Sequence, residues 1–588
     1  AKDIGNFGRV AFEFIDKKVK TGQKIWQVLP IGPTITNDSP FYSPSAFAIN
    51  PNYIDLYDLD GLLTQENIDE YYHKFDHEDP NKINYELLWN EKKPLLEKAS
   101  NNFMQNNGSQ NESFTDFVSQ NSVWLEDYAY FMGIKEIYMD HPDKKCWYDW
   151  DEEFKYIETF TQCLKEYFQI LENKENLAKL HHWNEKKLEI YHKIVQKAKF
   201  HKFTQWVAFQ QWYNLKHAAN ERNIIIIGDC PIYVAPDSAD VWANRTVFKL
   251  DNYGLQTCYA GVPPDYFSPK YGQFWGNPIY KWFMDGNNQK FNPATFKWWT
   301  NRLKYQLNLF DELRIDHFRG FAAYWEIPAD KCDVFDENGN HRKDEYGEEL
   351  KTSQFGSWKK GPGLHLFEYV ASQLGTVPQN LPVIAEDLGV ITDDVEFLRD
   401  SLQAPGMGIF QFAPWKNLHY KFPGQKPIFI ESTEHLNSMP LNTNEEWGRL
   451  FYQKDGEFVK FLDHEFLPHH AKRLKKLVFY PGTHDNDTLY GWFNDHKLSD
   501  FERTMFFKFI DRVLDYNFPH EPFHWKVLRA LWYSSQPTYV IAPMQDILGL
   551  EKERLNTPNK RGQWKWKLGR DQQFSGQVME KLSRVTQE

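Results

Sequence analysis

Seven short apolar runs punctuate the chain, and nearly every one closes on polar or acidic residues. They are Ile25–Pro30 (IWQVLP), Ile224–Asp229 (IIIIGD), Leu313–Asp316 (LRID), Val383–Asp387 (VIAED), Gly408–Phe412 (GIFQF), Leu477–Asp485 (LVFYPGTHD) and Thr538–Asp546 (TYVIAPMQD). Continuous apolar runs of this length suit strands buried on both faces. Helical patterns such as Phe367–Leu374 and Val395–Leu402 lie between them. That alternation predicts a parallel sheet covered by helices. Polar residues at the carboxyl ends of its strands are where a TIM (β/α)8 barrel carries its chemistry. A closed barrel of this kind has eight strands, one more than the pattern yields.

The texture divides the chain. Residues 1–52 read as the start of the barrel. Residues 53–200 are charged, Asn- and Lys-rich and helical in pattern, as in Trp183–Ala198, and read as an inserted helical subdomain. Asn101–Ser113 reads as a solvated loop. Residues 201–414 return to barrel character, 415–456 read as a second insertion, and 457–588 complete the barrel.

Composition removes several function classes. Lys and Arg total 68 against 81 Asp and Glu, a net charge of −13. A nucleic-acid or anionic-membrane partner would want a basic face. The longest purely aliphatic run, Ile224–Ile227, is far too short to span a bilayer. No charged-then-apolar targeting segment opens the sequence, so a cytoplasmic location is expected, or a plastid one if a transit segment has been removed. Five widely spaced cysteines fit a reducing compartment. No His/Cys/carboxylate cluster shows metal-ligand spacing, so neither metal nor cofactor is expected. Aromatic residues make up 17% of the chain, which reads first as a large aromatic core and second as stacking faces for sugar rings.

Four carboxylates, Asp229, Asp316, Glu386 and Asp485, close apolar runs, with Arg314, Arg319, His317 and His484 beside them. So many like charges around one mouth are costly unless each has a partner or a task. Paired carboxylates without metal spacing suit glycosidic-bond chemistry: one protonates the leaving oxygen and the other attacks or assists at the anomeric carbon. The separation that decides the stereochemical outcome is not readable from sequence. The segment Asp251–Trp282 is rich in Gly and Pro, yet carries Tyr253, Tyr259, Tyr266, Phe267, Tyr271, Phe274 and Trp275. It reads as an ordered irregular loop over the barrel mouth, with Asp265, Gln273 and Asn277 as polar tips.

Seven blocks resemble the amylomaltase family, the 4-α-glucanotransferases or disproportionating enzymes of the α-amylase clan. In order they are Ile25–Leu56, Gly228–Trp242 (GDCPIYVAPDSADVW), Ala260–Trp282, Arg314–Pro328 (RIDHFRGFAAYWEIP), Ile384–Gly389 (IAEDLG), Gly482–Thr488 (GTHDNDT) and Gln545–Leu550 (QDILGL). The resemblance implies a retaining double displacement on α-1,4-glucans, with a maltooligosaccharide donor and a sugar acceptor. It makes Asp316 the nucleophile, Glu386 the general acid and base, and Asp485 the carboxylate that grips the distorted sugar. Arg314 would orient Asp316, and His484 would contact hydroxyls. Asp229, Tyr42, Gln273, Trp275 and Asn277 would be further substrate contacts. The roles require a high pKa for Glu386 and a low one for Asp316 beside Arg314.

Three features depart from the family pattern. Family members usually begin with a strand carrying an LLHxTSLP-like segment, whereas this sequence opens at Ala1–Gly8 (AKDIGNFG), which resembles the segment just after that strand. The first barrel strand is therefore expected to be missing. The family's SPY is SPF at Ser39–Phe41, with Tyr42 next as a possible substitute, and NTPN at Asn556–Asn559 stands where NTPG is common. An α-glucan hydrolase would use the same carboxylates and differ only in acceptor control. A non-catalytic glucan-binding protein would have no reason to keep all three. Oligomeric state is not legible.

Overall fold

The computed structural model describes all residues except 1, 36–37, 174–179, 266–267, 455, 464–475, 534–537, 559, 570–571, 573 and 588. Tyr266, Phe267 and Asn559 of the segments above therefore lie outside the described residues.

Each of the seven apolar runs overlaps a strand. Ile25–Gln27, Ile225–Cys230, Glu312–Ile315 and Val383–Ala385 pair in that order, all parallel. Gly406–Ile409, Leu477–Tyr480 and Tyr539–Val540 pair in parallel as a second group. Ala385 N–H donates to Pro405 O at 2.8 Å, which joins the two groups edge to edge. The central strands are buried on both sides, as at Ile226, Ile227, Leu313, Ile315, Ile384 and Val478. That is why they read as unbroken apolar runs. Among the described residues no strand joins Tyr539–Val540 to Ile25–Gln27. A cavity of about 520 Å³ opens between them, walled by residues that include Trp26, Leu29, Tyr480, Val540 and Phe574.

Helices Arg9–Lys20, Pro293–Leu309, Leu364–Gln373 and Asp393–Ser401 flank the sheet. The region after the first strand is helical, as its texture implies, but its last helix runs on as Glu185–Glu221. Asn184 caps that helix by accepting from Lys187 N–H at 2.8 Å. No Gly or Pro interrupts its 37 residues. It packs along Leu125–Tyr138, where a Cβ on Gly133 would sit 3.0 Å from the Ile194 carbonyl oxygen.

Two smaller sheets decorate the barrel. Ile428–Phe429, Leu418–Tyr420, Leu450–Lys454 and Glu457–Lys460 form an antiparallel sheet, three of its strands in the second insertion and the last just past it. It packs through Trp415, Trp447 and Phe461 against helix Asp500–Val513.

The second small sheet corrects the reading of the mouth segment as an irregular loop. Cys258–Val262 pairs antiparallel with Gln273–Pro278 on one side and Ala323–Pro328 on the other, and Ser357–Lys360 forms the outer edge. Its glycines punctuate strands instead of preventing them. Gly272 turns at φ +65°, and a Cβ there would fall on Ser353 Oγ and the Val262 carbonyl.

Candidate active site

The site sits at the carboxyl ends of the parallel strands, built outward from Arg314. This residue lies on strand Glu312–Ile315 and is 3% exposed. Its Nη1 lies 2.7 and 2.8 Å from the two oxygens of Asp229 on the neighbouring strand. The same nitrogen is 3.2 Å from Asp316 Oδ1. One guanidinium thus serves two carboxylates, and Asp229 holds the larger share.

Register places the second acid. Ile315 is paired with Ala385, and Glu386 N–H donates to Ile315 O at 3.0 Å. Asp316 and Glu386 are therefore the next residues outward on adjacent parallel strands. His317 then adopts the left-handed conformation, φ +48°. That turn aims its N–H at Glu386 Oε2, 2.7 Å away. Leu388 N–H donates to Glu386 Oε1 at 3.0 Å. Two backbone donors from different strand ends hold this carboxyl.

The third acid is held from farther along the chain. Asn556 donates from Nδ2 to Asp485 Oδ1 at 2.6 Å, and Arg554 Nη2 to the Asp485 carbonyl at 2.6 Å. His484 Nε2 is 3.3 Å from Asp485 Oδ2. The His484 ring stacks on Phe41, with centroids 5.0 Å apart, and meets Trp564 at 5.6 Å.

These contacts set the charge states. Burial pushes Asp316 up to about 6; Asp229 and Asp485 add to this, and Arg314 and His484 oppose it. The low pKa expected for Asp316 is not what the structure gives. Burial outweighs Arg314, whose charge is largely engaged by Asp229. Burial and the neighbouring Asp316 push Glu386 up to about 8, as its expected role requires. Burial alone would raise Asp485, but His484, Asn556 and Arg314 outweigh it and hold it well below the usual carboxylate range. Burial lowers His484, yet Asp485 prevails and keeps it above its ordinary value.

The remaining candidates scatter. Trp275 reaches the site, its indole meeting the His317 ring edge-on at 4.9 Å. Its Nε1 donates to Gln273 Oε1 at 3.1 Å, and Gln273 in turn donates to Asp265. Asn277 is buried, and its amide donates to the Val234 carbonyl at 2.8 Å. Burial and the neighbouring Asp237 and Cys146 raise the Tyr42 phenol, while the preceding Phe41 packs on His484. Arg319 holds no carboxylate of the site. It donates to the carbonyls of Val390 and Ala323, and its guanidinium lies over Trp358 at 3.9 Å. Asn556, Arg554 and Trp564 were missed as site residues. The NTP run at Asn556–Pro558 was the available signal, read only as a departure in its last residue.

A family profile described as 4-alpha-glucanotransferase matches residues 1–428 and 451–572. The chain belongs to that family. A 4-alpha-glucanotransferase of Clostridium butyricum is 36% identical across 99% of this chain and 96% of its own. One from Aquifex aeolicus is 35% identical across 98% and 95%. The solved amylomaltase of Streptococcus agalactiae in complex with acarbose superposes with TM-score 0.73 at 31% identity, covering 99% of this chain and 96% of that one. The Corynebacterium glutamicum amylomaltase, 13% identical, shares the fold at TM-score 0.61 over 98% of this chain and 72% of its own. The chain is thus an enzyme of the 4-alpha-glucanotransferase family on an α-amylase-clan TIM barrel, with seven barrel strands among the described residues.

Proposed function

We propose that this chain cleaves α-1,4-glucans and transfers the glucanyl unit, with retention, to the 4-hydroxyl of an acceptor sugar. One observation carries the reading: Asp316 and Glu386 follow the paired Ile315 and Ala385 on adjacent parallel strands. Such strands lie about 4.8 Å apart, so the two acids stand side by side at the mouth and Asp316 acts electrostatically on Glu386, the close pairing that a retaining mechanism uses.

The steps follow from the charge states. Ionised Asp316 attacks the anomeric carbon while the Glu386 carboxyl gives its proton to the departing glycosidic oxygen. The product is a glycosyl ester on Asp316 and a carboxylate at Glu386. Esterification removes the Asp316 charge, which is one of the two causes raising Glu386. The Glu386 carboxylate is then no longer repelled by a neighbouring anion and stands ready for its second task. It takes the proton of the incoming 4-hydroxyl, whose oxygen attacks the anomeric carbon and frees Asp316. Arg314 keeps Asp316 available as an anion. Asp485 and His484, tied to each other and to Asn556, grip the ring hydroxyls as the sugar distorts.

Water competes for the ester, so an acceptor must be bound and oriented to win. Trp275 lies on strand Gln273–Pro278 of the small antiparallel sheet, the flap of this site, and touches His317; it supplies an apolar face for that acceptor and shields the ester from water. Donor and acceptor are both maltodextrin-like. No helix among the described residues is long and apolar enough to cross a membrane, and a cytoplasmic setting fits the free cysteines.

The test is to react the chain with an activated maltosyl donor in the absence of acceptor, quench in acid and map the adduct by mass spectrometry. A glycosyl mass on the peptide carrying Asp316, missing in Asp316→Asn, is expected. An adduct elsewhere, or inverted product without an adduct, would overturn the assignment.

A further inference from the structure

Away from the catalytic mouth, three metal-ligating side chains converge in the helical region. Cys163 and Glu166 stand three residues apart on helix Ile157–Glu172, and so share one face. His182 arrives from the segment ahead of helix Glu185–Glu221. Cys163 Sγ, a Glu166 carboxylate oxygen and a His182 ring nitrogen all lie within 4.8 Å of one another. Sequence spacing gave no hint of this, because residues 163 and 182 lie far apart along the chain and are brought together by the fold.

The donor set is organised. His182 Nε2 lies 2.7 Å from Glu166 Oε2. Trp183 Nε1 donates to that oxygen at 2.8 Å, and Gln162 donates to Glu166 Oε1 at 3.2 Å. Such outer hydrogen bonds are what orients a ligating carboxylate. Cys163 is buried, while the His182 side chain is 53% exposed, which leaves a solvent path. A second cluster, Asp333, His341 and Glu349, differs in one respect. There the Lys351 ammonium already sits between two of the acids, 2.5 Å from Asp333 and 3.4 Å from Glu349. At Cys163 the neighbouring lysine, Lys187, is anchored 2.9 Å from Glu153 and stands 3.6 Å from the sulfur. It touches only the sulfur among the three donors, and neither Glu166 nor His182 pairs with it.

We propose that Cys163, Glu166 and His182 form a binding site for zinc or a similar borderline divalent cation. One thiolate, one imidazole and one carboxylate select that class over magnesium or calcium, and a water completes the tetrahedron. Ligand atoms about 2.0–2.3 Å from zinc stand about 3.3–3.7 Å apart; the His182–Glu166 pair, 2.7 Å apart, must open by roughly 0.6–1 Å and the pairs to Cys163 close by at most about 1 Å, movements that the exposed His182 supplies. Binding releases the thiol proton to solvent and places the cation beside the Lys187 ammonium, 3.6 Å from the same sulfur. The ion would tie the Ile157–Glu172 helix to the start of the long helix and stabilise the folded chain by mass action.

The experiment is a cobalt(II) titration of the chelator-stripped full chain, read by the near-ultraviolet thiolate-to-cobalt charge-transfer band and by zinc displacement. One equivalent with that band is expected. Cys163→Ser removes the band, His182→Ala weakens binding by at least about tenfold, and Lys187→Gln tightens it. Absence of the band in the folded wild-type chain would overturn the site. So would a band unchanged in Cys163→Ser, which places it at another cysteine. If Cys163→Ser fails to fold, the exposed His182→Ala decides alone: unchanged affinity rejects the proposal.

Discussion

Asn556 donates its side-chain amide to Asp485 Oδ1 across 2.6 Å, between residues 71 positions apart in the chain. The same segment donates Asn556 N–H to the His484 carbonyl at 3.1 Å and the Arg554 guanidinium to the Asp485 carbonyl. The third carboxylate of the site is therefore aimed by the C-terminal segment, not by its own strand end alone.

Asn556→Ala should lower kcat more than it raises KM. A hydrogen bond to a charged group is worth about 1.5–3 kcal/mol, or roughly 10–100-fold in rate. The measurement is steady-state kinetics on maltotriose. Losing only thermal stability, with kcat intact, would make Asn556 a fold residue with no part in aiming Asp485.

The activity–pH profile should be a bell set by the coupled pair. As pH falls through about 6, Asp316 gains a proton and loses its nucleophilicity. As pH rises through about 8, Glu386 loses the proton it must donate. With an α-maltosyl fluoride donor, whose leaving group needs no proton, the alkaline limb of the first step should disappear. An alkaline limb that stays in place with the fluoride would assign it to another group.

Glu386 also carries a stability prediction. Its folded pKa is raised, so its contribution to stability is fully present below the unfolded value near 4.3. That contribution is lost as pH rises through about 8. Glu386→Gln removes the buried charge but keeps only one acceptor oxygen for the two donors, the His317 and Leu388 amides. That loss is the same at every pH, so the prediction lies in the difference: relative to wild type, the inactive variant should gain on the order of 1–3 kcal/mol of stability between pH 4 and pH 8. Denaturant unfolding at the two pH values checks it. A variant that loses ground to wild type over that interval would contradict the sign.

Trp275→Ala should shift products toward hydrolysis. Loss of about 1.4 kcal/mol of acceptor binding corresponds to a tenfold change in the transfer-to-hydrolysis ratio. Comparing newly formed reducing ends with newly formed long chains measures it. An unchanged ratio would remove the flap from acceptor control.

Much of this was legible because barrel strands announce themselves locally. Ile225–Cys230 and Val383–Ala385 are buried on both faces, so their apolar runs need no partner information to be read. Asp316 and Glu386 stand out by closing such runs. The flap was misread because its strands Cys258–Val262 and Gln273–Pro278 owe their form to pairing with Ala323–Pro328, far along the chain. The charge of Asp316 was misjudged because adjacency in sequence gave it Arg314, while the fold gives most of that guanidinium to Asp229. The role of Asn556 and the left-handed turn at His317 depend on tertiary geometry that no local pattern encodes.

The most direct test of the central claim is incubation of the purified chain with maltotriose, resolving products by size and counting reducing ends. The account predicts glucose together with maltopentaose and longer chains, a constant number of reducing ends, and no products from Asp316→Asn. Glucose and maltose alone, with reducing ends rising, would contradict it and make the chain a hydrolase.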